Sequence, residues 1–158
     1  MRQLRRLTLT PRNLAFAVAG VVVLIDQVTK WIVLQTLTDG PVSLIDGFLQ
    51  FRLVHNPGSA FTLFQGSGAV IALIAIAAVA LIVVVARQLP SLFEGAAIGL
   101  VLGGAVGNLL DRIFRGDGFL NGKVIDFIDF DFFPTFNAAD SAITIGAILA
   151  VLLAFRNR

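Results

Sequence analysis

Four long apolar segments constrain the fold of this chain more than any other feature of its sequence. They cover about residues 13–36, 68–86, 95–112 and 137–155. A helix needs about 20 mostly apolar residues to cross the hydrocarbon core of a bilayer. Because 57% of the 158 residues are apolar and only 14% are charged, the chain has too little polar surface to cover a soluble globule. The sequence therefore predicts an all-α polytopic membrane protein with four transmembrane helices.

The third and fourth segments are long enough to cross a bilayer only if they include polar residues. Their charge-free parts, 95–110 and 141–155, contain 16 and 15 residues. As helices these parts would extend only about 22 to 24 Å, against a hydrocarbon core of roughly 30 Å. Both helices must therefore include flanking residues, which places Asp111 and Asp140 inside the membrane or at its edge. A carboxylate is costly there and by default marks a functional site.

The distribution of basic residues predicts the orientation of the helices. Seven of the 12 Lys and Arg residues lie before the first segment, between the second and third, or after the fourth. By the positive-inside rule, both termini face the cytoplasm and the two long loops, about 37–67 and 113–136, face outward. We expect these loops to carry short strands and an interfacial flap. The first segment is expected to be a retained helix, because no small-residue cleavage site follows it.

The chain has no cysteine and a single histidine, His55. These counts exclude a disulfide scaffold, a thiolate zinc site and a cysteine nucleophile, and they leave no plausible ligand set for a transition metal. We therefore expect no transition-metal site. No repeat or linker divides the sequence, so residues 1–158 are predicted to form one domain.

Polar residues interrupt the apolar sequence at five places. Asp26 and Lys30 lie four residues apart in the first segment, so they share a helix face and can neutralise each other as a structural ion pair. Asn108 lies one helical turn before Asp111 and Arg112. The other clusters are a turn-like run at 55–61, an acidic and phenylalanine-rich run at 123–134 that suits a strand or an interfacial loop, and the segment 136–140.

Two carboxylates in these clusters could act together. Asn137 is a good helix N-cap, and Asp140 then lies at the third helical position, while Asp126 is a short loop away. Two carboxylates in a poorly solvated site cannot both ionise easily, so one keeps a proton and the other is a base. An aspartic peptidase uses this arrangement. From the residues alone, a helix cap beside a solvated acidic loop and a polar-lined transport path remain alternatives.

The five clusters contain sequence motifs that occur in a fixed order. They are Asp26–Lys30 (DQVTK), Asn56–Phe61 (NPGSAF), Gly103–Arg112 (GGAVGNLLDR), Val124–Ile128 (VIDFI) and Phe136–Asp140 (FNAAD). Together they resemble the motifs of the lipoprotein signal peptidases, also called signal peptidase II, over nearly the whole sequence. The resemblance implies a polytopic aspartic endopeptidase of the bacterial inner membrane. Such an enzyme removes the signal peptide from prolipoproteins immediately before a cysteine that carries diacylglycerol.

The resemblance also implies roles for individual residues. Asp126 and Asp140 match the catalytic pair of the family. The other matching residues are expected to shape the pocket, hold the pair or contact substrate; they are Asp26, Lys30, Asn56, Asn108, Asp111, Arg112 and Asn137. No motif residue is missing, although the interval from Asp126 to Asp140 is short. Asp129 and Asp131 lie outside the motifs, and we expect them to be solvated or interfacial.

The resemblance further implies the setting of the activity. The partners are diacylglyceryl-modified prolipoproteins and membrane lipid, with no nucleic acid, no metal and no cofactor, and we expect a monomer. The active site is expected near the extracytoplasmic face. The six phenylalanines from Phe119 to Phe136 are predicted to form an interfacial wall or mobile flap over the lipid-bearing substrate.

Two other classes of protein remain as alternatives. A small transporter could line a path with the same charged residues, but the four segments do not resemble one another as transporter repeats would. A non-catalytic membrane scaffold could use Gly99, Gly103 and Gly107, which recur every four residues and let another helix approach closely. Packing inside the helix bundle is the simpler interpretation of these glycines.

Overall fold

The computed structural model describes residues 9–58, 68–118 and 120–156. The helices are α1 (Pro11–Thr36), α2 (Gly68–Val85), α3 (Leu92–Phe114) and α4 (Ala138–Arg156), and a short 3-10 helix, Ala86–Gln88, follows α2. The strands are β1 (Val42–Ile45), β2 (Leu49–Asn56), β3 (Val124–Phe130) and β4 (Phe133–Phe136). Several predicted features lie outside these ranges: Ser59–Phe61 of the second motif, Phe119, and the basic residues before residue 9 and at residue 158.

Side chains and prolines define where the helices begin. The Thr10 hydroxyl accepts a hydrogen bond of 3.2 Å from the backbone N–H of Asn13, and Pro11 follows at the first helical position. Ser91 follows Pro90 and caps α3 in the same way, through the N–H of Glu94. Each helix is long and apolar enough to cross a membrane. The prediction of four spans is confirmed, and the third and fourth include Asp111 and Asp140 as expected.

Glycines bring α3 close to both of its neighbours. A Cβ atom added at Gly99 or Gly103 would lie within 3 Å of a backbone carbonyl oxygen of α1. A Cβ atom at Gly104 would meet the backbone of α4 just as closely, and Gly146 on α4 approaches the backbone of α3 in turn. The glycine spacing therefore serves packing inside the bundle, and α1 and α4 lie on two sides of α3.

The two long loops join to form one antiparallel sheet with the strand order β1-β2-β3-β4. The assignment of the chain as purely all-α is therefore wrong, while the expectation of short strands in the loops is confirmed. These loops leave the apolar bundle, and their backbone N–H and C=O groups are satisfied by pairing with each other. In the central pair, Val54 lies opposite Asp126 and Asn56 lies opposite Val124. Ile125 and Phe127 pack on the end of α1 at Val33.

Phenylalanine rings cluster at the end of the sheet that carries the β3–β4 turn. The ring of Phe130 stacks on that of Phe136, with centroids 6.1 Å apart, and Phe48 and Phe132 complete the cluster beside it. Phe132 is 71% exposed and Phe133 is 56% exposed. The segment predicted as a wall or flap is thus the β3–β4 hairpin, and its role over a substrate stays a prediction.

Candidate active site

Asp126 and Asp140 lie on different elements but share one partner, Asn137. Asp126 lies in the middle of β3, and Asp140 lies in the first turn of α4. The side-chain amide of Asn137 donates a 2.6 Å hydrogen bond to Asp126 Oδ1. The backbone N–H of Asn137 donates to Asp140 Oδ2 at 3.3 Å, and its side-chain oxygen accepts from the Asp140 N–H at 2.9 Å. This reciprocal capping box confirms the predicted N-cap, and it brings both carboxylates to one residue.

Two further amides bind the same carboxylates. Asn108 on α3 donates a 2.7 Å hydrogen bond to Asp140 Oδ1, and Asn56 at the end of β2 donates a 2.8 Å hydrogen bond to Asp126 Oδ2. The Asn56 side chain is itself held by the N–H of Gly58, at 2.8 Å. Gly58 has a φ of 103°, a conformation that glycine adopts without strain. The turn after β2 therefore orients an amide toward Asp126.

A buried cluster of charges lies beneath the two carboxylates. Lys30 is completely buried, and its Nζ lies 2.9 Å from Asp26 Oδ2 and 2.8 Å from Asp111 Oδ2. The third donor of the ammonium group binds Asn108 Oδ1 at 3.0 Å. Arg115 adds a second cation, with its Nε 2.7 Å from Asp111 Oδ1. The predicted ion pair of Asp26 and Lys30 is present, as part of a larger network.

The same cluster ties the backbone of the site to α1 and α3. Asp26 Oδ1 accepts a 3.1 Å hydrogen bond from the N–H of Ala139, in the first turn of α4. Asp111 Oδ2 accepts a 3.1 Å hydrogen bond from the N–H of Ile125, next to Asp126. Each of these buried carboxylates therefore holds the backbone beside one of the two predicted catalytic residues. Charge-assisted hydrogen bonds of this kind are among the stronger ones in proteins.

Arg112 differs from the other site residues because one nitrogen of its guanidinium has no hydrogen-bond partner among the described residues. The residue is 8% exposed, and its Nη1 makes no hydrogen bond with the described part of the chain. Its positive charge acts on Asp126, Asp140 and Asp111. A buried guanidinium N–H beside two carboxylates is available as a hydrogen-bond donor to a bound molecule.

The buried position of Asp126 changes the pKa of its carboxyl group. Burial raises the pKa of the Asp126 carboxyl to about 6, against the opposing hydrogen bond from Asn56 and with a further contribution from the charge of Asp140. The two carboxylates share Asn137 as a hydrogen-bond partner. Within the described ranges, no group of three or more His, Asp or Glu residues could hold a metal ion.

Sequence reasoning missed three residues near the site. Gln27 donates to Asp26 and Asp111, and no pattern beyond its place in the DQVTK motif marks it. Arg115 follows Asp111 by four residues, a helical spacing that could have revealed the ion pair. Asp129 was expected to be solvated or interfacial, but it is only 6% exposed and is bound by side chains of two other strands. Asp131 is exposed, as expected.

Comparison with known proteins places this site in a family. A profile described as Signal peptidase (SPase) II matches residues 18–156. A lipoprotein signal peptidase of Rhodococcus jostii is 44% identical over 143 residues, which cover 90% of this chain and 72% of the relative. A lipoprotein signal peptidase of Streptomyces griseus is 43% identical over 141 residues, which cover 89% of this chain and 72% of the relative.

A solved structure agrees with these relatives. It is described as a bacterial membrane enzyme determined by the in meso method at 1.9 Å resolution. It superposes with a TM-score of 0.78 at 33% sequence identity, over 91% of this chain and 94% of that one. The profile match covers most of the sequence; helices α2, α3 and α4, α1 from residue 18 onward, and all the site residues lie within it. The chain therefore belongs to the signal peptidase II family.

Proposed function

We propose that this chain is an aspartic endopeptidase that removes the signal peptide from membrane-anchored prolipoproteins, cutting just before the diacylglyceryl-modified cysteine. The observation that carries the proposal is the contact of Asn137 with both Asp126, at 2.6 Å, and Asp140, at 3.3 Å. A lone helix cap would not need a second buried carboxylate from another element. Membership of a peptidase family supports a hydrolytic role for this pair.

The chemistry follows from a pair of carboxylates that shares one proton. The ionised carboxylate removes a proton from a water molecule as the water oxygen attacks the scissile carbonyl carbon. The protonated carboxyl donates a hydrogen bond to the carbonyl oxygen and polarises it. When the tetrahedral intermediate collapses, the carbon–nitrogen bond breaks and the leaving amine receives a proton from the pair. The raised pKa of Asp126 brings its protonation closer to neutral pH than that of an ordinary aspartate.

The surrounding residues hold this pair and leave one donor for the substrate. Asn56 and Asn108 fix the orientation of the Asp126 and Asp140 carboxylates. Arg112 Nη1, which makes no hydrogen bond within residues 9–58, 68–118 and 120–156, is suited to bind a backbone carbonyl of the substrate. The remaining motif residues hold α1, α3 and α4 together beneath the pair; they are Asp26, Lys30 and Asp111.

The proposed substrate is confined to the bilayer by its signal helix and acyl chains, so the carboxylates must be presented at membrane depth. Asp140 lies in the first turn of α4, and Asp111 and Arg112 lie in the last turns of α3, at the end of the bundle that carries the sheet. Arg12 and Arg87 line a cleft at the other end. By the positive-inside rule, the sheet and the site face outward, where an exported cleavage site would arrive.

The test is cleavage of a diacylglyceryl-modified prolipoprotein by the purified protein in detergent, with EDTA in one arm. Wild type, Asp126→Asn and Asp140→Asn are run side by side, with Asp131→Asn as the matched control because Asp131 is exposed on the same hairpin. We expect wild type and the control to cut with or without EDTA. Each site variant should fold and lose about 100- to 10,000-fold in turnover. Retained cleavage by either site variant would refute the proposed pair.

The same experiment separates the proposal from its alternatives. A membrane scaffold or a transporter would not cleave the substrate. If the protein were a scaffold, the asparagine variants would still assemble, because the amide keeps most of the packing of the carboxylate. Among the described residues, the glycine contacts that a scaffold would need for assembly are already used between α3 and its neighbours within the chain. This observation favours the peptidase.

A further inference from the structure

Most of the β3–β4 hairpin lies between the two proposed catalytic carboxylates in the sequence. It carries a third carboxylate, Asp129, which has its own set of hydrogen-bond partners. Asp129 accepts hydrogen bonds from Gln50 Nε2 at 2.7 Å and from the Thr135 hydroxyl at 2.7 Å. Arg52 binds it through two nitrogens, with Nε 3.0 Å from Oδ2 and Nη2 3.1 Å from Oδ1. All four acceptor positions of the carboxylate are therefore occupied, and the arginine contact is bidentate.

This cluster connects three strands through one side chain. Gln50 and Arg52 lie on β2, Asp129 lies on β3, and Thr135 lies on β4. The backbone pairing of β3 with β4 is short, with only Ile128 opposite Phe136 and Phe130 opposite Phe133, and an irregularity lies between these two pairs. So short a ladder gives little rigidity by itself. The side-chain bonds to Asp129 supply a second attachment of β4 to the rest of the sheet.

The position of the cluster links it to the active site. Thr135 is two residues before Asn137, which binds both proposed catalytic carboxylates, and Asp129 is three residues after Asp126. Side chains alternate along a strand, so Asp129 and Asp126 lie on opposite faces of β3. Asp129 binds Gln50, Arg52 and Thr135, and none of these is a partner of the pair. The cluster can act on the pair only through the backbone of the hairpin.

We propose that Asp129 is a positioning residue: by binding Arg52 and Thr135, it clamps β4 against β3 and thereby fixes Asn137 and Asp140 relative to Asp126. This inference rests on the proposed function. Without the clamp, Thr135 and the short connection after it gain freedom, and Asn137 no longer holds both carboxylates in one geometry. A misplacement of about 1 Å can cost roughly 100-fold in rate.

The effect of the clamp differs from that of a binding residue. Losing it changes the geometry of the reacting groups, whereas the apolar side chains offered to the signal helix and acyl chains, including the hairpin phenylalanines, are still present. We therefore expect Asp129→Asn to lower kcat about 10- to 100-fold, while KM stays within about twofold of wild type. Asp131→Asn, two residues away on the same hairpin, is the matched control and should behave as wild type.

A pair of variants at Thr135 tests the clamp without changing a charge. Thr135→Val removes the hydroxyl that donates to Asp129 but keeps the shape of the side chain, whereas Thr135→Ser keeps the hydroxyl. We expect the valine variant to lose about 3- to 10-fold in kcat and the serine variant to stay within about twofold of wild type. If Thr135 mattered only for packing, the serine variant should lose more kcat than the valine variant, because serine fills the site less well than valine.

Hydrogen exchange gives a readout that does not depend on activity. In Asp129→Asn and in Thr135→Val, backbone amides of residues 133–140 should exchange faster than in wild type, and those of α1 should not change. Normal kcat together with normal exchange in both variants would overturn the clamp. Should wild type cleave while Asp126→Asn is inactive, the proposed function stands whatever Asp129→Asn does. Should wild type fail to cleave, the exchange data still decide whether the clamp exists.

Discussion

Lys30 is fully buried, and its ammonium group contacts two carboxylates and one amide oxygen. Removing one member of a buried ionic cluster leaves the others uncompensated, at a cost of about 3 to 5 kcal/mol. We therefore expect Lys30→Met to lower the free energy of unfolding by that amount, because the buried carboxylates of Asp26 and Asp111 lose the charge of Lys30. Thermal unfolding in detergent measures the change, with Lys123→Met as the control because Lys123 is exposed just before β3. A Lys30→Met protein that unfolds at the wild-type temperature would contradict the network.

The raised pKa of Asp126 predicts how stability depends on pH. Its pKa in the folded protein is about 6, above the ordinary aspartate value, so the folded state binds a proton that the unfolded state releases. The stability from this group is full below the ordinary pKa near 4 and is lost as the pH rises through about 6. The total change is on the order of 3 kcal/mol.

The asparagine variant isolates this contribution. Asp126→Asn does not titrate, so its stability relative to wild type should be greater at pH 8 than at pH 5. Unfolding of both proteins at a series of pH values measures the difference. Asp131→Asn should show no such trend, because that carboxylate is exposed. A constant difference between Asp126→Asn and wild type across this range would contradict the raised pKa.

Asp129 should respond to acid in the opposite direction. Burial alone would raise the pKa of Asp129, but the hydrogen bonds from Thr135, Gln50 and Arg52 outweigh it and lower the pKa below its ordinary value. Stability from this group is therefore present above the ordinary aspartate pKa and is lost only as the pH falls through the lower folded value. The Asp129 carboxylate therefore stays charged near neutral pH. The loss of kcat in Asp129→Asn relative to wild type should be the same at pH 6 and at pH 8.

At the level of elements, the helices were predictable and the sheet was only partly so. Apolar length and the first polar residues at each end define α1 to α4 to within a few residues, because a membrane-spanning helix must satisfy its own backbone. The capping box at Asn137 was also readable, because its contacts are local. By contrast, Asp129 is bound by Gln50 and Arg52, which are 79 and 77 residues away in the sequence. Strand pairing over such a separation leaves no local pattern.

The packing of α1 against α3 gives a prediction at this same level. A Cβ at Gly103 would come within 3 Å of the Ala19 carbonyl oxygen and of Val22 Cβ, so Gly103→Leu should force the helices apart and cost about 1 to 3 kcal/mol or more. Gly20 on α1 has nothing within 4 Å of its Cβ position, and Gly20→Leu is the matched control. We expect the control to be as stable as wild type in thermal unfolding. Equal stability of the two variants would contradict the close contact.

In the molecule as a whole, the site depends on the bundle and the sheet together. Asp126 comes from β3, which is held by the neighbouring strand and by the bond of Ile125 to Asp111. Asp140 comes from α4, whose first turn is held by Asp26. Neither the helix bundle nor the sheet alone brings both carboxylates to Asn137. Positions of single motif residues were therefore predictable from the family resemblance, but their hydrogen-bond partners required the assembled fold.

The exposed phenylalanines extend the apolar surface of the helices onto the sheet. Phe132 and Phe133 are 71% and 56% exposed at the tip of the β3–β4 hairpin, next to the proposed active site in the chain. Aromatic side chains in such a place favour the membrane interface, where the acyl chains of a lipoprotein substrate also lie. We expect replacement of Phe130, Phe132 and Phe133 by serine to raise the apparent KM for a membrane-embedded substrate.

Phe155→Ser is the control for this prediction, because Phe155 is 68% exposed at the opposite end of the bundle. The two proteins are compared in lipid vesicles that contain the modified prolipoprotein, with initial rates measured over a range of substrate density in the membrane. A raised KM in the triple variant alone would support an interfacial wall of phenylalanines. Unchanged kinetics in the triple variant would exclude it, and the substrate would then reach the carboxylates through contacts with the helices alone.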